Sequence, residues 1–246
     1  MPTFTPITQS RHAAKRWRRP RSYAFAAGTA IIPLVGAELV KAALAFPIAF
    51  IEHGETFVPA AVLGMESDRN VFVAADGRWL GAYVPAAVRG FPFTLAATEK
   101  GQHLLCFDEA SGLLTDAQEG ERFFEDDGTP SPAVRQVLDF LTKVEQNRTL
   151  TVAACAALQA HNQIEPWPIT VRTGASGRRI EGLFRVNEAA FNALKDDAFL
   201  ALRNAGALPI AFAQFVSMPQ LRLLGEGTGA RGQPVPQVQW GQDFDL

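Results

Sequence analysis

The sequence is short of cysteine and tyrosine, with two of each in 246 residues, and its apolar runs are all interrupted. Each shortage excludes something. Cys106 and Cys155 have no motif spacing, so a disulfide framework is not expected. Two buried free thiols in a reducing compartment are expected instead. The net charge of −2 excludes a strongly basic whole-protein footprint, and no nucleic-acid partner is predicted. The chain has no GxGxxG, Walker loop, CxxC, HExxH or GxSxG, so the common signatures of dinucleotide, phosphate, redox, zinc-protease and serine-hydrolase chemistry are missing. His12, His53, His103 and His161 lie on different segments without ligand spacing. A zinc or iron site built from His53, His103 and a carboxylate such as Asp108 is conceivable, because both histidines flank hairpins. Scattered surface and turn histidines are the expectation, so no metal and no cofactor is predicted.

A spanning helix is also excluded. Residues 11–21 carry six positive charges and no negative one, and a mostly apolar stretch from Tyr23 to Ile51 follows. Pro33, Gly36, Glu38, Lys41 and Pro47 interrupt that stretch, and a charge at the centre of a spanning helix costs about 2.5–3.5 kcal/mol. A solvated basic arm on a cytoplasmic protein is expected, with an export signal as the alternative, since its apolar region need only be short.

What is present is enough for a real core: 48% hydrophobic residues and eighteen phenylalanines. A joint recurs in which an apolar residue and proline end a helix-like run and open a strand-like one. Phe46-Pro47 and Phe91-Pro92 are the clear copies, 45 residues apart; Trp167-Pro168 and Leu208-Pro209 are weaker echoes. Proline lacks the amide hydrogen and pushes its predecessor out of the helical region. Helix over Ile31 to Ala45, with Glu38 and Lys41 paired across one turn, then strands over 48–52, 56–63 and 71–74 are predicted. A second hairpin follows at 93–98 and 103–107. Eight carboxylates against Arg122 make 108–127 a solvated acidic loop. Ser131 as N-cap and Pro132 at the first position start a long helix reaching about Asn162. Strands at 169–173 and 179–186, helices from Asn187 and Asp196, and an apolar helix over 210–224 complete the pattern.

The predicted fold is α+β, with antiparallel sheets, packed helices, a long central helix and a smaller α/β second half. Its predicted parts are an extended basic arm (1–22), an N-terminal α+β domain (23–128), the long helix with the α/β region (129–224) and a tail (225–246).

The candidate binding residues are Arg78, Trp79, Tyr83, Arg89 and Phe91. Aromatics and arginines in a connecting segment supply the residue types that dominate recognition hot spots. The competing reading is that Trp79 and Tyr83 cap the sheet with their polar tips in water. Asp76 and Asp108 adjoin turns, where aspartate is favoured for local hydrogen bonding.

Several ordered motifs carry a family resemblance. Ser22-Tyr23-Ala24-Phe25-Ala26, Ile32-Pro33-Leu34-Val35, Phe46-Pro47-Ile48, Gly77-Arg78-Trp79, Tyr83-Val84-Pro85-Ala86, Phe91-Pro92-Phe93, Leu105-Cys106-Phe107-Asp108 and Leu183-Phe184-Arg185-Val186-Asn187-Glu188 resemble the bacterial SapC family from about Gln9 to Leu224. The resemblance implies an association with paracrystalline surface layers, and neighbours similar to flavin-dependent halogenases and TonB-dependent uptake systems. It supplies no catalytic residue. The expected function is a non-enzymatic accessory protein that recognises a polypeptide partner, halogenase-like or surface-located. The alternatives are an enzyme or enzyme-partner subunit in oxidative tailoring, and a surface-layer component.

Overall fold

The computed structural model describes residues 3–98, 101–173 and 176–225. The tail expected from residue 225, and the turns expected around Glu99-Lys100 and Gly174, lie wholly or largely outside the described residues. In chain order the elements are β1 (Phe4–Pro6), α1 (Gln9–His12), β2 (Arg16–Trp17), β3 (Ile31–Pro33), α2 (Leu39–Ala43), β4 (Ile48–His53), β5 (Thr56–Val62), α3 (Ala86–Arg89), β6 (Phe93–Ala97) and β7 (His103–Asp108). There follow β8 (Leu114–Thr115), β9 (Glu121–Arg122), α4 (Pro132–Ala160), β10 (Ile164–Pro166), β11 (Ile169–Thr173), β12 (Ser176–Ile180), β13 (Phe184–Val186), α5 (Glu188–Asn192), α6 (Asp196–Asn204), α7 (Leu208–Ser217) and α8 (Arg222–Gly225). The fold is α+β, with every strand pair antiparallel.

The described chain divides into two compact units, residues 3–22 with 87–146 and residues 23–86 with 147–225. The first unit holds two small sheets, ordered β1-β7-β6 and β8-β2-β9. Its core is aromatic: Trp17 meets the edge of Phe93 at 4.7 Å, and Phe107 lies 5.1 Å from Phe93 and 5.3 Å from Phe123. Buried Val134, Val137 and Phe140 come from the first half of α4. That helix starts where its cap dictates. Ser131 Oγ accepts the Val134 amide at 3.2 Å and donates to the Arg122 carbonyl at 2.6 Å, satisfying an orphan donor of the first turn.

Neither the basic arm nor the acidic loop is simply solvated; they pair within this unit. β2 lies between β8 and β9, Trp17 is buried, and Arg11 grips Glu109 through two bonds of 2.6 Å. Arg18 lies 3.8 Å from Glu119 and Arg19 3.6 Å from Glu121. The burial of Trp17 holds the segments together, and the exposed opposite charges, worth little alone, pair once they meet.

The second unit is built on a five-stranded sheet, ordered β10-β13-β4-β5-β3. The expected helix over Ile31 to Ala45 is kept over residues 36–43, and its start is replaced by a strand. Ile31 and Ile32 pair with Val62 and Ala61 as β3, because β-branched residues fit a pleated surface and Pro33 denies an amide to a helix. Helix is left only to Gly36–Glu38 as a 3-10 turn and to α2. The stretch 71–74 forms an isolated Val73–Trp79 bridge rather than a strand. The two predicted hairpins stand, but in different sheets: β4 and β5 here, β6 and β7 in the first unit. Pro209 begins a helix instead of ending one, lying in the first turn of α7, where its missing donor is harmless. Ser217 Oγ on α7 accepts the Ile48 amide at 2.9 Å, and Gln214 bonds both Ile48 and Val186 at 3.4 Å, so buried polar groups tie this helix to β4 and β13.

Candidate binding surface

Of the five residues singled out in the sequence, Arg78, Trp79 and Tyr83 belong to the second unit, and Arg89 and Phe91 to the first. Trp79 is only 6% exposed. Its ring packs near Tyr23 at 5.6 Å, Phe46 at 6.1 Å and Phe72 at 6.4 Å, and its indole Nε1 donates to the Tyr83 carbonyl at 2.7 Å. Gly81 makes that fold-back possible: a Cβ there would stand 2.8 Å from Nε1 of Trp79 and 3.0 Å from Phe46. Trp79 is a core residue that closes a loop, not a surface anchor.

Tyr83 is half-buried and reaches inward. Its hydroxyl donates to Glu38 Oε2 at 2.9 Å, and the same oxygen accepts the Ala86 amide at 2.8 Å. Glu38 Oε1 accepts the Val35 amide at 2.9 Å. Glu38, 2% exposed, therefore has buried protein donors, while Lys41 points to solvent; the expected Glu38–Lys41 pair does not describe this carboxylate. A buried carboxyl needs such donors to offset its lost hydration.

Arg78 is exposed, and its Nε bonds Asp76 at 2.7 Å, which holds the Asp76 carboxyl below the ordinary range. This closes a local turn. In the first unit, the Arg89 guanidinium lies 5.0 Å over the Phe140 ring, a cation–π arrangement with α4, and Phe91 is half-buried.

Sequence reasoning missed exposed apolar pairs on two helices of the second unit. α2 and α7 are neighbouring helices. Val40 on α2 and Leu44 at its C-terminal cap are 74% and 67% exposed, and Phe212 and Val216 on α7 are 50% and 56% exposed. Each pair is spaced i, i+4 and so shares one helix face. No residue of α7 is charged. Phe212 lies 5.7 Å from Phe191, which also touches half-exposed Phe199 at 6.5 Å. The signal was in the sequence: Val40-x-x-x-Leu44 and Phe212-x-x-x-Val216 exceed what two short helices need on their buried sides.

Among the described residues no group of three or more histidine, cysteine or acidic side chains is placed to hold a metal. His53 lies in the second unit, and His103 in the first lies 3.6 Å from Glu145. A shallow depression of about 530 Å³ in the first unit is lined by Arg19, Glu121, Arg135 and Asp139, whose charges largely answer one another. Among the described residues no single helix is long and apolar enough to cross a membrane; α6 and residues 208–224 reach that measure only as a pair bent by 93°.

The architecture defines an α+β protein of two units, with exposed apolar pairs on two neighbouring helices of the second. The chain belongs to the SapC family, whose model matches residues 7–224. Neither the curated proteins nor the solved structures include a match to it.

Proposed function

We propose that this SapC-family chain is a non-enzymatic accessory protein that recognises a polypeptide partner through the exposed face of α2 and α7. The observation that supports this reading is the set Val40, Leu44, Phe212 and Val216. Clustered apolar side chains on a folded domain mark interaction sites more often than a scatter of single ones does. The opposite faces of both helices are already committed: Leu39, Ala42 and Ala43 on α2, and Ile210, Ala211 and Ala213 on α7, are buried. The exposed face is thus surplus to the fold. The absence of charge along α7 suits an apolar partner surface, since a buried unpaired charge would oppose association. Surface-layer proteins and outer-membrane uptake systems are the partner classes that the family resemblance suggests. A cytoplasmic setting accords with two buried thiols that form no disulfide.

The test is site-specific photocrosslinking in the native cell from positions 40 and 212, with exposed Glu52 as control. A polypeptide captured at the first two positions and not at the third is expected. Its affinity for the purified chain should then fall at least about tenfold, the loss of about 1.4 kcal/mol, in Val40→Asp and Val216→Asp. Equal labelling from all three positions, or unchanged affinity in both variants, overturns the reading.

A further inference from the structure

The three-stranded sheet of the first unit ends at β6, and its register fixes which backbone groups face outward. The Asp108 amide donates to the Pro92 carbonyl at 2.9 Å, and the Thr98 amide to the Gln102 carbonyl at 2.8 Å. Bonded and non-bonded pairs alternate along an antiparallel ladder. Between those two bonds, Thr94↔Cys106 and Ala96↔Leu104 are therefore the bonded pairs. Leu95 and Ala97 turn both N–H and C=O away from β7. Phe93 turns its carbonyl outward too, while its amide is used by Gly90 at 2.8 Å. Among the described residues nothing bonds the outward groups of Leu95 or Ala97.

Bare edges are normally guarded by lysine, proline or a bulge. β6 reads Phe-Thr-Leu-Ala-Ala and contains none of these guards. Ala96 is exposed and opposite it stands Leu104, 44% exposed. Phe4, equally exposed and paired with Asp108 on the far side of β7, lies on the same face of the sheet as Leu104 and Ala96, because alternate residues share a face. The surface flanking the edge is thus small and apolar.

We infer that β6 takes up an extended segment of another polypeptide by strand addition, Leu95 and Ala97 supplying the backbone bonds and Ala96 with Leu104 receiving an apolar side chain. This rests on the reading of the chain as a polypeptide-binding protein, but it uses the other unit and a different mode of recognition. The size of the edge selects the occupant. Five residues span roughly 17 Å, room for one short strand, whereas two folded copies need about 800 Å² on each partner to associate stably. A second copy is the poorer fit.

Amide hydrogen exchange on the full chain, with a fluorescein-labelled heptapeptide of alternating threonine and valine as probe, tests this. Without peptide, the Leu95 and Ala97 amides should exchange at least about tenfold faster than those of Thr94 and Ala96, since exchange reports hydrogen-bond opening. Saturating peptide should protect Leu95 and Ala97. Ala97→Pro removes one outward donor without touching a β6–β7 bond, and should weaken peptide binding, read by anisotropy, at least about tenfold. Val40→Asp and Val216→Asp should leave it unchanged, so failure of the helical face and failure of the edge are separable. Three outcomes overturn the inference: Leu95 and Ala97 already protected in the free chain, protection that grows with protein concentration alone and so identifies a second copy, or peptide binding that leaves both amides exchanging freely.

Discussion

The Tyr83 hydroxyl donates to the buried Glu38 carboxylate at 2.9 Å across 45 residues of sequence. This bond fastens the loop that carries Arg78 and Trp79 to the turn before α2, and it shares its acceptor with the Ala86 amide. A net contribution of about 1–1.5 kcal/mol is expected for it, and Tyr83→Phe should lose that much in urea unfolding. Glu38→Ala leaves three donors without their acceptor and should cost about 3 kcal/mol or more. If Glu38→Ala unfolds at the same urea concentration as the parent, the carboxylate is not the fastening.

Trp79 should behave as core. Trp79→Ala is expected to cost about 3–5 kcal/mol, so any binding it lost would be inseparable from lost structure. Arg78→Ala removes one exposed pair with Asp76 and should leave the unfolding midpoint close to that of the parent. Gly81→Ala gives an independent reading of the same packing. Its Cβ would press on Trp79, Phe46 and Phe72, and overpacking of this kind costs about 1–3 kcal/mol. Thermal unfolding of the three variants should rank Trp79→Ala below Gly81→Ala below Arg78→Ala; a wild-type midpoint for Gly81→Ala contradicts the close approach.

Local signals were legible wherever the chain decides its own conformation. Ser131-Pro132 announced the start of α4, and Asn187 announced α5 by accepting the Ala190 amide at 2.9 Å. The turn between β4 and β5 was legible from Gly54, which has φ of 61°. Signals failed where a distant partner decides. Ile31 and Ile32 sit at helical spacing from Leu34 and Val35, yet β5 claims them. Glu38 looked like half of a surface pair because its donors, apart from Val35, lie 45 and 48 residues away. Trp79 looked like a recognition residue because aromatic side chains serve cores and interfaces alike; only Gly81, small enough to let the indole fold back onto Tyr83, hinted at the first role. The pairing of the basic arm with the acidic 108–127 stretch was present as opposite charge, but charge alone does not bring two segments together in water.

The two thiols offer a test of burial. Desolvation pushes the Cys155 thiol up to about 12 and raises Cys106 as well. The thiolate is the reactive species, so both should resist a disulfide reagent at pH 8 in the native chain. Two equivalents per chain are expected within minutes once urea unfolds it. Rapid native reaction at Cys155 would mean that the helix face carrying it opens far more readily than its burial implies.

His12 carries a pH dependence whose sign can be worked out. Its ring is fully buried, 4.9 Å from Phe123. Nδ1 lies 3.2 Å from the Thr8 amide nitrogen and 3.3 Å from the Thr8 carbonyl oxygen, and Nε2 faces Glu109 at 3.3 Å, with Arg11 holding the same carboxylate. Burial lowers the imidazole from its ordinary value of 6.5, outweighing the hydrogen bond with the Thr8 backbone and the attraction of Glu109. Below about 6.5 the unfolded chain therefore takes up a proton that the native chain refuses, and stability falls as pH drops through that value toward the folded-state pKa. Glu109 acts in a separate window. Arg11 holds its carboxyl below the ordinary 4.5, so its contribution is full above that value and is lost on further acidification. Urea midpoints between pH 8 and pH 5 should decline below 6.5 in the parent and stay level in His12→Phe, which keeps the ring packing against Phe123 and removes the titrating group. A parallel decline in both chains would assign the acid sensitivity elsewhere.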